Sequence, residues 1–450
     1  MASSIKIHEW KNGFRLIYET PKNNANVSSV YTICDIGSVH ESNDIRGGAH
    51  FIEHMCFKGT KKVPKTEDVY VKYDDIGAYI NAFTNKRHTS FRLRVHDKYV
   101  HNCIHLMSDM LMNSTFNKTE FQKEEKVVVE ESMRLKDDAP TILEDLKESV
   151  IYKNSSYEHA IDISSYHKNP FDRGKIMDLY HAFYRPDKMI LSVITNVPFS
   201  EVVKMVDSSF YAKLHKSNPR LDAVLLNNTI KYSDIVQTQP TYHMAKHSNI
   251  STIHMDISFR TCNYYSDDKY VLDLLKHILS GSFGSRLSML LRDKNGLTYV
   301  STVATTYYEH AGDFSVYAQL TPSKIMKNGK KPGVLPLIIG LLNDLVKHGV
   351  SEKELKTAKL NITGKMLLVL EHSDSQSLHN GIEYLMKRDI SKITPLDKVC
   401  EKHVNSISAS QINTAIRKYL KPSTMNVFII GNELPDEGSV KNCCSEFRCC

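Results

Sequence analysis

Ile104-His-Leu-Met-Ser-Asp109-Met-Leu111 recurs as Ile339-Gly-Leu-Leu-Asn-Asp344-Leu-Val346, 235 residues further along the chain. Working outward from this pair, Phe116-Asn-Lys-Thr-Glu120 matches Val350-Ser-Glu-Lys-Glu354 at a spacing of 234. Tyr184-Arg-Pro186-Asp-Lys-Met189 likewise resembles Tyr419-Leu-Lys-Pro422-Ser-Thr-Met425, with Met189 and Met425 spaced by 236. Three matches within two residues of one spacing point to a duplicated unit of roughly 200 residues, an ordinary domain size. Each half reads as opening strands (14–19 and 27–36; 252–259), amphipathic helices, then a strand pair (78–83 with 89–95; 298–306 with 313–320). A long helical stretch and a closing strand follow. Strands and helices mix without a dinucleotide glycine fingerprint, so the expected fold is α+β: two homologous halves, each an antiparallel-rich sheet packed with helices. The expected boundaries are 1–213, a linker at 214–234 marked by Pro219 and Asn227-Asn228, 235–435, and a Cys-rich tail at 436–450.

The composition sets outer limits. The 450 residues carry 58 Lys+Arg and 51 Asp+Glu, with 41% hydrophobic residues, which excludes a collagenous or wholly disordered chain. A net charge of +7 spread over the whole length gives no nucleic-acid arm. No apolar run reaches the ~18 residues of a membrane span, and 334–346, broken by Asn343 and Asp344, reads as a core helix. The N-terminal residues show neither a secretory signal nor a mitochondrial presequence, so a cytoplasmic location is expected. Nine Cys, five of them scattered, do not form a disulfide framework, in keeping with a reducing compartment.

The strongest chemical signal lies in Gly47-Gly48-Ala49-His50-Phe51-Ile52-Glu53-His54. His50, Glu53 and His54 stand at i, i+3 and i+4, on one face of a helix. Two imidazoles one turn apart can reach a single Zn²⁺, while Glu53 on the same face can serve as general base. The order His-x-x-Glu-His reverses His-Glu-x-x-His and is the inverzincin signature. A third ligand is needed, and Glu124-Glu125-Lys126-Val127-Val128-Val129-Glu130-Glu131 supplies candidates. Glu130 and Glu131 differ by about 100° around a helix, so both cannot face one ion. Glu124 and Glu131, two turns apart, share a face. This favours Glu131 as metal ligand, with Glu124 orienting a ligand histidine or the water.

The run from Asp35-Ile-Gly-Ser-Val-His-Glu41 through Gly47-Gly48-Ala-His-Phe-Ile-Glu-His-Met-Cys-Phe-Lys-Gly-Thr60 resembles the pitrilysin/insulinase-type zinc metallopeptidases. The nearest group is the one containing the β subunit of mitochondrial processing peptidase and bacterial enzymes of about this chain's mass. The resemblance spans about residues 5 to 435, and Glu131 falls 77 positions after His54, as the family's zinc glutamate does. It implies one Zn²⁺ per chain, a clamshell of two halves around a peptide chamber, and endopeptidase activity on unfolded peptides or short extended segments. Gly281-Ser-Phe-Gly-Ser-Arg-Leu287 and Leu291-Arg292-Asp-Lys-Asn-Gly-Leu-Thr-Tyr299 resemble the segment whose Arg and Tyr, here Arg292 and Tyr299, hold the substrate carbonyl. Asn81-Ala82 resembles the edge strand onto which an extended peptide adds, with Phe83 a mild departure. Val39 stands where relatives often carry Arg.

The second half has no His-x-x-Glu-His, and Lys365 stands in it where Glu131 stands in the first. Other family-like readings are a noncatalytic assembly subunit, or a catalytic subunit needing a partner chain; a homodimer or related partner subunit is expected. The terminal Cys449-Cys450 resembles a prenylated tail, which would add a membrane tether if lipidated.

Overall fold

The computed structural model describes residues 5–23, 25–161, 171–213, 218–327 and 329–448. They form two compact units, each assembled from three separated stretches: 1–134, 154–232 and 366–398 in the first, and 135–153, 233–365 and 399–450 in the second.

The first unit is built on six strands: β1 (Lys6–Glu9), β2 (Arg15–Glu19), β3 (Val27–Cys34), β4 (Tyr79–Thr84), β5 (Thr89–His96) and β6 (Met189–Ile194). Their order is β1-β2-β6-β3-β5-β4, all neighbours antiparallel except β2 with β6. β6 is buried along its whole length, as a strand covered on both faces must be. β4, at the margin, alternates exposed and half-buried residues. One face of the sheet carries the main core, where Phe51, Ile52 and Met55 of the helix Gly48–Cys56 pack with Phe91 and Leu93. The other face holds the helix Ser373–Lys387. There Ile17, Tyr31, Ile33 and Ile190 meet Tyr384, Leu385 and Ile393. Burying such side chains is worth about 1.5–3 kcal/mol apiece, so this late-arriving helix is integral to the unit. Polar contacts fix its register. The fully buried Glu19 accepts from Gln376 (2.7 Å) and Asn380 (2.9 Å), and Ser192 and Ser377 each donate to the other's carbonyl.

The second unit repeats the plan with β7 (Thr241–Lys246), β8 (Ile253–Thr261), β9 (Val300–Tyr307), β10 (Gly312–Leu320) and β11 (Met425–Gly431). The order β7-β11-β8-β10-β9, with β7 and β11 parallel, is the first unit's order without β1. Its sheet also receives a helix from the other stretch of sequence, Ala139–Ile151. Lys147, 2% exposed, reaches Asp313 (3.5 Å) and Glu144 (2.8 Å), while Tyr152 donates to Asp313 (2.6 Å).

The α+β reading and the duplication therefore hold, but the units are not the continuous stretches 1–213 and 235–435. Each has exchanged one helix, because each sheet's second face needs an apolar cover that its own stretch does not provide. The stretch 214–234 is not a bare linker either. Pro219–Asn227 forms a helix capped by Asn218, and its Leu221 is buried in the first core. Within the Cys-rich tail, Glu437–Cys444 is helical, and Cys443, Cys444 and Phe447 are buried in the second unit. Burial pushes the Cys443 thiol up to about 11 and Cys444 to about 12. Cys449 and Cys450 lie outside the described residues. Val334–His348 is a core helix, and no single helix among the described residues is long and apolar enough to cross a membrane.

Candidate metal centre

The helix Gly48–Cys56 begins abruptly at Gly47, whose φ of +82° lies in the left-handed region that favours glycine. Its exposed N–H groups are met by a carboxylate from outside the helix. Glu41 accepts from Gly47 N (2.8 Å) and Ala49 N (2.7 Å). Burial pushes the Glu41 carboxyl up to about 7, against the pull of those two N–H bonds. This anchor fixes where the helix starts and hence the direction of His50, Glu53 and His54.

The acidic helix Lys118–Leu135 runs beside it and supplies Glu124 and Glu131. His50 Nε2 and His54 Nε2 are 3.2 Å apart, and Glu131 Oε2 lies 4.0 Å from the first and 3.6 Å from the second. A tetrahedral Zn²⁺ with bonds of about 2.0–2.1 Å separates its donors by about 3.3–3.4 Å. The three atoms thus already stand near the corners such an ion requires. Among the described residues they form the one group of three or more His, Cys, Asp or Glu close enough to share an ion.

Glu124 is not a ligand in this arrangement. It accepts from His54 Nδ1 (2.8 Å) and pairs with Lys58 (2.7 Å). Held protonated at Nδ1, His54 presents the Nε2 lone pair to an ion. Burial would raise the Glu124 carboxyl, but the His54 and Lys58 hydrogen bonds prevail and hold it below the usual range. Glu53 faces the same space without joining the ligand group. Thr84 donates to its Oε2 (2.6 Å), and burial raises its pKa above the ordinary value. A buried carboxylate with one free oxygen and a raised pKa suits a proton acceptor.

Asn81 and Ala82 lie on β4, the marginal strand, and help line a cavity of about 230 Å³. Glu53, His54 and Glu124 form its polar side, and Phe57, Tyr70 and Ile80 its apolar side. Asn81 Oδ1 accepts from the Ala82 N–H (2.7 Å). In the second unit, Arg292 lies within a wide helical turn, Met289–Asp293, and its guanidinium carbon sits 5.5 Å from the Tyr299 ring centre and 5.9 Å from that of Phe283. Both aromatic rings are more than four-fifths exposed.

The sequence reading singled out His50, Glu53, His54, Glu124 and Glu131, and these side chains do stand near one another. It did not single out Glu41, Lys58 or Thr84, which position these groups. Glu41 and Lys58 did sit inside the quoted motif run, so their nearness in sequence was the available signal.

Two family models match the chain: "Insulinase (Peptidase family M16)" over residues 17–162, and "Peptidase M16 inactive domain" over 170–362. An uncharacterized zinc protease of Bacillus subtilis (strain 168) is 28% identical over 420 residues, covering 92% of this chain and 95% of the relative. One from Mycobacterium leprae (strain TN) is 26% identical, covering 86% of this chain and 84% of the relative. Among solved structures, a protease from Helicobacter pylori superposes with a TM-score of 0.84 at 19% identity, covering 95% of this chain and 99% of that one.

Proposed function

The chain belongs to the insulinase family of peptidases, family M16, and on that premise we propose that it is a zinc-dependent endopeptidase acting on unfolded peptides or short extended segments. The observation that carries the reading is the convergence of His50 Nε2, His54 Nε2 and Glu131 Oε2 within 4.0 Å of one another, with Glu53 beside them.

Those three atoms would hold Zn²⁺. When bound, the ion supplies Lewis acidity, drawing the pKa of water at the site down towards about 7 and polarising a carbonyl. Everything else is the work of side chains. Glu53 takes the water proton on Oε1, since Oε2 is occupied by Thr84, and returns it to the leaving amine. Thr84 keeps the carboxylate from rotating away. Glu124 and Lys58 hold the His54 ring. A substrate strand adds along β4 at Asn81 and Ala82, and the apolar side of the adjoining cavity accepts one of its side chains. We assign Arg292 and Tyr299 to the substrate carbonyl, as donors to the oxygen on which negative charge develops. A homodimer or a related partner subunit, and a cytoplasmic site of action, complete the reading and are checked by sizing and by fractionation.

The decisive test is a quenched-peptide assay on the wild type and on Glu53→Gln, with zinc measured in both. The expected outcome is a loss of at least about 10²-fold in kcat at undiminished zinc content. Equal activity rejects the mechanism, and loss of the metal with the activity would make Glu53 a ligand instead of a base.

A further inference from the structure

The second unit repeats the strand order of the first apart from β1, and among its described residues it holds no matching group of metal donors. The helix Asp268–Ser280 precedes the β9–β10 pair just as Gly48–Cys56 precedes β4–β5. Asp268–Ser280 carries Lys276-His277 near its end and no His-x-x-Glu-His. Lys365 replaces Glu131. Its ammonium donates to the Gly281 carbonyl (2.6 Å), and the His277 ring packs against the same glycine. Lys276 itself pairs with Asp273 (2.9 Å), so this end of the helix carries cations and no group of metal donors among the described residues.

Beside it opens a cavity of about 560 Å³, within the size range of small-ligand sites. Ile278, Met289 and Leu341 give it apolar walls; Arg286, Lys294 and Lys353 bring positive charge, against one carboxylate, Glu354. That carboxylate is already taken. Arg286 binds both its oxygens (2.5 and 2.8 Å), and Arg286 also reaches Asp344 and the Gly349 carbonyl. Neither Lys294 nor Lys353 pairs with a carboxylate among the described residues, and His277 Nε2 is buried there without a hydrogen-bond partner. The uncommitted groups are therefore two ammonium cations and one imidazole nitrogen, set around apolar surface.

We propose that this cavity is a receptor for a peptide carboxylate, holding a segment in which an acidic group follows apolar side chains. The apolar walls take the side chains and the two lysines take the charge. That the ligand is a peptide rests on the peptidase reading; the cavity and its charge do not. The site would favour acidic or free-ended segments among the peptides the chain engages, and would give that preference a strong salt dependence because the lysines are exposed.

The test uses the full chain carrying Glu53→Gln, so that the probe is not cut. Fluorescence anisotropy compares a labelled Gly-Ala-Leu-Leu-Glu peptide with a free C-terminus against its Gln, C-terminally amidated counterpart, with and without a zinc chelator. The acidic peptide should bind at least tenfold more tightly, with or without the chelator. The double variant Lys294→Glu, Lys353→Glu should erase that preference at an unchanged melting temperature, and Thr357→Trp, at the cavity wall, should weaken both peptides. Equal affinities for the two peptides, a preference surviving the double variant, or one abolished by chelation would each overturn the proposal. All of these outcomes can be read in a chain that hydrolyses nothing, so they are separable from a failure of the peptidase reading.

Discussion

Glu124 is the residue whose removal separates holding a metal from holding a metal ligand. It touches no donor position of its own, yet it fixes the His54 ring through Nδ1 and is itself fixed by Lys58. Glu124→Gln should weaken zinc binding about 10–100-fold, as loss of such supporting groups does, while leaving the melting temperature of the zinc-free chain within a few degrees. Competition against a calibrated chelator measures the first and a thermal melt the second. An unchanged zinc affinity would show that the His54 ring is oriented by packing alone. At this scale the sequence was readable wherever helical spacing alone brings groups together, as with His50, Glu53 and His54, or Glu124 and Glu131. Thr84 was unreadable for a physical reason. Its segment, 81–84, resembles the family's edge strand beside the metal, but the bond to Glu53 itself depends on β4 running beside the motif helix, which local spacing does not show.

Among the elements, the segment 281–299 depends most visibly on a distant tether. Arg286 grips Glu354 at the start of the helix Glu352–Leu370, and that guanidinium, by hydrogen bonding, holds the Glu354 carboxyl down to about 2. A depressed folded-state value means that the tether contributes fully above the ordinary value near 4.5 and is lost as the pH falls from there towards 2. Amide exchange across 281–299 should therefore lose protection in acid. Glu354→Gln should speed exchange in this segment about tenfold at neutral pH, with little change in the β8–β11 core. Equal protection in wild type and variant would place the restraint elsewhere. The same scale shows which elements escape prediction. β1, four residues long, and β7, half-buried up to its exposed Lys246, lie at sheet margins where alternation is weak. Pro219–Asn227 sets one buried side chain, Leu221, into the core, too few to write a periodic pattern. The central strand β6, buried along its whole length, and the core helix Val334–His348, with only Gly340, Asp344, Lys347 and His348 exposed, were plain from their apolar runs.

Over the whole molecule, duplication was legible because it repeats at a fixed interval, whereas the exchange of helices between units leaves no such trace. A helix that covers its own sheet and one that covers another carry the same apolar stripe. The exchange has a measurable result. A fragment ending at residue 234 keeps all six strands of the first sheet but lacks Tyr384, Leu385 and Ile393, which cover Ile17, Tyr31, Ile33 and Ile190. Expressed alone it should aggregate or bind hydrophobic dyes, and coexpression with 235–450 should restore a soluble complex. A stable, monomeric 1–234 would mean that the second face of the sheet tolerates water. The interleaving also bears on how the protein is born. A ribosome that has finished the first sheet must still make more than 150 residues before the helix Ser373–Lys387 emerges, on the order of ten to forty seconds at cellular rates. Through that interval the nascent chain carries an uncovered sheet, which makes the late stages of translation its hour of greatest need for a chaperone.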